Sequence, residues 1–130
     1  MGLDMYLHGI LSHYGMHDYN IGNVEMRIEI GYWRKANAIH KWFVDNCQDG
    51  VDNCAVYYVS KERLEELKEI CEEVLKDLDK GEELLPTQSG FFFGDTGYNE
   101  NYKYDLEETI KICKWALNKE FDYYEYHSSW

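Results

Sequence analysis

The chain has 130 residues, a net charge of -12 and 45% hydrophobic residues, with twelve tyrosines among its aromatics. That size fits one domain with a true core, and the aromatic content excludes a disordered chain despite the charge. The acidity argues against general DNA or RNA binding, which requires phosphates to be neutralised. No apolar run reaches the roughly 18 residues of a membrane span.

The opening MGLDMYL has no basic stretch leading into an apolar one, so no secretory signal is expected. Tyr6 stands where a myristoylation signal needs Ser or Thr. Residues Asp4 to Leu11 read as a first strand. Val24, Met26, Ile28 and Ile30 alternate with Glu25, Arg27 and Glu29, a strand with one face on a core. A helix is expected from about Tyr32 to Asn46, ended by Gln48-Asp49-Gly50. Ala55 to Val59 is β-branched and aromatic, a further strand. Ser60 then caps a second helix running to about Asp79, whose stripe is Leu64, Leu67, Cys71, Val74 and Leu78. Phe91 to Phe93 reads as a short strand. Asp105, with Glu108 three residues on, starts a third helix with the stripe Leu106, Ile110, Cys113 and Leu117. Phe121 to Trp130 closes the chain as a strand. These elements give a single α+β domain over residues 1–130, a mostly antiparallel sheet with about three helices packed on it.

Cysteines 47, 54, 71 and 113 include no CxxC pair and two of them sit on helical stripes, so reduced structural thiols in a cytoplasmic protein are expected. His8, His13 and His17 with Asp4 and Asp18 lack the tight ligand pairs of a zinc site, and no metal or cofactor is expected. From Lys61 to Glu83 ten acids face five bases, the wet side of an amphipathic helix or a row of carboxylates imitating a phosphate backbone.

Two segments stand out. GYWRKANAIHKW, residues 31 to 42, carries Arg34, Lys35 and Lys41 without an acid, a local reversal of field. On a helix, Trp33, Asn37 and His40 would share one face, offering an indole, an amide and an imidazole. Arg34 or Lys35 near the first turn would strengthen its hold on an anion. LLPTQSGFFFG, residues 84 to 94, has no charge, the only proline, and three adjacent phenylalanines. Backbone N–H groups around Gln88, Ser89 and Gly90 can cradle an anion, and Phe91 and Phe93 can wall a flat ligand. If the two segments meet, they enclose an aromatic pocket with a few polar anchors.

GLDMYL, GYWRKANAIHKWFVDN with the following QDGVDNC, and LPTQSGFFFG resemble a family of small proteins of no settled activity carried by bacteriophages and prophages. The likeness covers most of the chain, through the third helix. It implies expression in an infected bacterial cell, where small acidic phage proteins often inhibit host machinery or sequester defence signals, and it carries over no catalytic residue.

The resulting expectation is a non-enzymatic phage accessory protein that binds a small anionic or nucleotide-like ligand through Trp33, Arg34, Asn37, His40, Gln88, Ser89, Phe91 and Phe93, in an anti-defence role. Such a protein is often a homo-oligomer. The alternative is an acidic inhibitor of a host protein. A nucleotide-directed enzyme using His40 as base is the weakest reading, because no nucleophile or phosphate-loop signature accompanies it.

Overall fold

The aliphatic and charged alternation of Val24–Arg34 lets that segment lie on a core as a strand, β2, paired antiparallel with the N-terminal strand β1, Asp4–His13. The computed structural model describes residues 2–13, 24–90 and 93–130. After β2 the chain runs through α1 (Asn37–Cys47), β3 (Tyr57–Val59), α2 (Lys61–Lys76) and a 3-10 turn at Leu78–Lys80. It continues through a single helical turn, α3 (Gly81–Leu84), a long α4 (Glu100–Asn118) and β4 (Tyr123–Ser129). The sheet order is β2-β1-β4-β3 with every pairing antiparallel, which makes this an α+β domain.

Helices cover one face of the sheet. Met5, Leu7, Trp33, Tyr124 and Tyr126 project from the strands into a core with Ile39 and Phe43 of α1, Leu64, Leu67 and Cys71 of α2, and Leu106 and Cys113 of α4. The opposite face carries Tyr6, His8, Arg27, Tyr32, Glu125 and His127. There Tyr6 stacks on His127 with ring centroids 4.8 Å apart, and Arg27 pairs with Glu125 at 3.4 Å.

A bulge decides which side chains of β2 reach the core. Leu7 pairs with Gly31 and His8 with Glu29, so Ile30 is the extra residue. Before it, Arg27 faces Glu125 on the open side; after it, Tyr32 and Arg34 take that side and Trp33 turns inward. Gly31 leaves room for α4, since a Cβ there would stand 2.7 Å from the Ile112 side chain.

The second helix follows its sequence pattern. Ser60 Oγ accepts from the Arg63 N–H at 3.2 Å, and Leu64, Leu67, Cys71 and Val74 are buried. Arg63–Glu66 and Lys68–Glu72 ion pairs lie on its wet side. The helix stops at Lys76 rather than about Asp79, leaving Leu78 to the 3-10 turn, and β3 begins at Tyr57 rather than Ala55. Other boundaries differ as well. The first helix begins at Asn37 rather than Tyr32, because Tyr32, Trp33 and Arg34 stay paired with β1 and Lys35 then adopts a φ of +56°. The last helix begins at Glu100, capped by Asn99, whose side chain accepts from the Asn101 and Tyr102 N–H groups. Tyr102 extends the buried stripe N-terminal to Leu106, which puts Asp105 inside the helix. Phe93 lies in a bend rather than a strand, and Phe91 and Phe92 fall outside the described residues. Among the described residues no helix is long and apolar enough to cross a membrane.

Leu67 is fully buried on α2 amid the cluster that joins α2 to α4. Leu67→Ala is expected to lower the free energy of unfolding by about 2–5 kcal/mol, read by urea denaturation, while leaving the strand signal in circular dichroism intact.

Candidate functional site

Asn37 is the joint at which the two distant segments meet. It is the first residue of α1, and only 3% of it is exposed. Its Nδ2 donates to the carbonyls of Phe93 (3.0 Å) and Asp95 (2.8 Å), and its Oδ1 accepts from the Gln88 N–H at 3.0 Å. One amide thus satisfies three backbone groups of a loop more than fifty residues away in sequence, a pairing that no apolar side chain could supply. Further bonds hold the same loop as an arch. Tyr102 Oη donates to the Leu85 carbonyl at 2.8 Å, and Thr87 Oγ1 donates to the Thr96 carbonyl at 2.9 Å.

The arch, the strand-to-helix corner and the first turns of α4 enclose a cleft of about 310 Å³. Its lining combines the cations Arg34 and Lys35, the polar Asn37 and Thr87, and Tyr104 and Asp105 of α4. Arg34 also pairs with Asp4 at 3.0 Å, and Tyr32 donates to the same carboxylate oxygen. Those contacts hold the Asp4 carboxyl below its ordinary value. The Lys35 stem lies across Gly94, where a Cβ would sit 3.1 Å from Lys35 Cβ and the φ is +84°. The left-handed backbone therefore favours glycine at position 94, and a side chain there would also crowd the Lys35 stem. Lys35 makes no ion pair among the described residues.

Asp105 is the unusual group. Burial pushes its carboxyl up to about 7, and no neighbouring cation offsets that burial. In the same cleft Asp95 behaves in the opposite way. Hydrogen bonds from the Asn99 side chain and then from the Gly97 N–H hold its carboxyl below the ordinary value. A perturbed carboxyl in a cleft that cations also line is a candidate ligand contact.

The sequence-derived residues divide sharply. Arg34 and Asn37 line the cleft. Trp33 does not, being on a strand and 4% exposed. Its Nε1 donates to Thr109 Oγ1 at 2.8 Å, and Thr109 in turn donates to the Asp105 carbonyl at 2.6 Å. Trp33 thereby anchors the α4 turn that carries Asp105 instead of stacking on a ligand. His40 is fully buried behind the arch. Its Nε2 lies 3.0 Å from both Asp52 carboxylate oxygens and its Nδ1 lies 2.6 Å from Tyr126 Oη. The arrangement fits Nε2–H donating to Asp52 and Tyr126 O–H donating to Nδ1, because burial pushes the Tyr126 hydroxyl well above its ordinary pKa and keeps it protonated. Phe93 stands edge-on to the imidazole at 5.4 Å and is itself buried. Gln88 is half-buried with its N–H on Asn37, Ser89 is exposed, and Phe91 lies outside the described residues. His17 and Asp18 lie outside them too, as does the His13 side chain, and among the described residues no three metal-ligating side chains cluster.

Tyr104 and Asp105 were missed as site residues because they sit next to the apolar stripe of α4, where a helix normally turns to solvent. The only signal was the stripe itself: extended back to Tyr102, it leaves Asp105 beside Leu106 on the half-buried flank. No protein-family model, curated protein or solved structure matches the chain.

Two outcomes follow from this geometry. Asn37→Ala is expected to cost about 2 kcal/mol by stranding buried backbone groups, and to accelerate hydrogen exchange at the Gln88 amide well beyond the change elsewhere. For Asp105, a native value near 7 against an ordinary 3.8 means that the folded state holds a proton which the unfolded state has lost. Its contribution to stability is therefore present below about pH 4 and lost as pH rises to about 7. Asp105→Asn should flatten that part of the stability profile in urea titrations across the range.

Proposed function

We propose that the protein binds, without transforming it, a small anionic ligand with a flat, donor-bearing group, nucleotide-like in character, in the cleft between Lys35 and Asp105. The observation that carries the reading is the presence of both charge types in the lining of one cleft. Arg34 and Lys35 line it together with Asp105, a carboxyl whose burial no described cation offsets. A phosphate at the two cations and a base edge donating N–H groups to Asp105 would satisfy both charge types, with the Tyr104 ring alongside the base. The volume is at the lower end for small-molecule sites and suits a ligand of mononucleotide size.

The case for binding rather than turnover rests on where the reactive groups lie. The imidazole of His40 has both nitrogens engaged, by Tyr126 and Asp52, and does not line the cleft. The phage resemblance supports sequestration of a host signalling nucleotide in the cytoplasm of an infected cell as the natural role.

The test is a thermal-shift screen with mononucleotides, cyclic dinucleotides, inorganic phosphate and sulfate. A ligand at 100 times its dissociation constant adds about 2.7 kcal/mol, an upward shift of several degrees for a chain of this size. Lys35→Asn, which tolerates the left-handed backbone, should abolish the shift while leaving the unliganded melting temperature within a few degrees. The pH dependence separates the two ends of the site. A nucleotide that donates to Asp105 needs the ionised carboxylate, so its affinity should climb as pH rises through about 7. Sulfate, which keeps a constant charge over this range, meets only the added negative charge, so its affinity should fall. A panel that leaves the melting temperature unmoved overturns the proposal.

A further inference from the structure

The two edges of the sheet are built differently, and the difference points to a second copy of this chain. One edge, β3, is only three residues long and ends at the helix cap Ser60. The other, β2, runs eleven residues from Val24 to Arg34, and among the described residues nothing pairs with its outer side. A long edge without proline or lysine leaves a row of backbone donors and acceptors open for another strand. Before its bulge the strand is regular, with Met26 53% exposed and Ile28 half-buried on the helix-covered side, and the bulge residue Ile30 is half-buried against the core.

The charge pattern of this edge is self-complementary. In an antiparallel pair of two β2 strands centred on Ile28, Arg27 of each copy falls opposite the partner's Glu29. In the same register Met26 falls opposite the partner's Ile30, and Ile28 meets its own counterpart at the axis. The two ion pairs form on the face away from the helices, and the Ile28 pair forms on the face that the helices cover, with each Met26 beside the partner's bulge. Shifting the centre to Arg27 would set Glu25 against the partner's Glu29, two like charges. Shifting it to Met26 would set Arg27 against the partner's Glu25 but remove Glu29 from the pairing. Only the Ile28 register therefore makes dimerisation respond to Glu29→Arg and recover in the double swap. We propose that β2 is a homodimer edge, joining two four-stranded sheets into one continuous eight-stranded sheet about a two-fold axis at Ile28. The inference is independent of the ligand cleft and would stand without it.

Sedimentation velocity on the full chain in reductant tests it. Wild type is expected at twice the 15.5 kDa chain mass as concentration rises. Arg27→Glu and Glu29→Arg should each weaken dimerisation roughly tenfold, since the two-fold axis repeats the clash. The double swap Arg27→Glu with Glu29→Arg should return the dimer to near wild-type strength by restoring opposite charges across the axis. Circular dichroism checks that each variant is folded, and Met26→Lys, at an exposed position, supplies the same loss of dimer should a reversal at 27 disturb the Glu125 pair. A wild type that stays monomeric at every concentration overturns the inference. So does a dimer indifferent to the single reversals and to Met26→Lys, or a folded double swap that fails to recover.

Discussion

One residue in a left-handed backbone conformation sets the geometry of the candidate site. Lys35, at a φ of +56°, ends β2 while its N–H donates to the Leu3 carbonyl at 2.7 Å, and two residues later α1 has begun. The tight corner keeps Trp33 on the sheet, facing the core, and Arg34 on the opposite side against Asp4. It also brings Asn37 to the first position of the helix, aimed at the loop. A non-glycine residue pays little strain here only because the surrounding bonds fix the corner from both sides. Without that corner Asn37 would not reach Gln88 and Phe93, and the arch would have nothing to close on.

Behind the arch a chain of polar groups ties the C-terminus to the first helix. Trp130 Nε1 donates to Asp52 at 3.1 Å, Asp52 accepts from His40, and His40 accepts from Tyr126. The Phe93 ring covers this chain, standing edge-on to both His40 and Trp130. Both ring nitrogens of His40, the Tyr126 hydroxyl and the Trp130 N–H have partners, so the network holds together β4, α1 and the 48–56 loop. His40 therefore has a structural occupation that accounts for its presence in a core. The Asn37 amide repeats the same logic on the other side of the loop, where a single buried polar side chain replaces what a regular strand pairing would have done.

The sheet and α2 were legible in the sequence because hydrophobic periodicity is decisive when a segment is long and one-sided. Val24–Ile30 and Leu64–Val74 are such segments, and both lie where the pattern put them. The helix proposed from Tyr32 failed at its first turn for a tertiary reason. Strand pairing with β1 holds Tyr32 and Trp33 extended, and no local signal separates an aromatic strand end from a helix start. That shift of five residues moved Trp33 from a supposed ligand face into the core. Asp105 was hidden similarly: Asp105 and Glu108 match a capping box, but Asn99 captures the helix earlier and its bonds to Asn101 and Tyr102 turn the box into helix interior. The convergence of residues 31–42 with 84–94 had no sequence signature, since it depends on one amide side chain reading three backbone groups.

The overall charge of -12 and a cationic cleft are compatible because electrostatics at a site is a matter of distance. At physiological ionic strength exposed charges beyond about 8 Å are largely screened, so many acids on the outer faces of the helices raise solubility more than they oppose a bound anion. Several are also neutralised nearby, as in the Arg63–Glu66 and Lys68–Glu72 pairs of α2. What an anion meets at contact distance is Lys35, Arg34 and the two cleft carboxyls. Asp95 is held ionised by donors that already share its charge, and the Asp105 carboxyl is pushed up to about 7 because burial penalises its charged form. The balance inside the cleft thus turns on Asp105 rather than on the composition of the chain. The same carboxyl that would read the flat end of a ligand sets how strongly the other end is held.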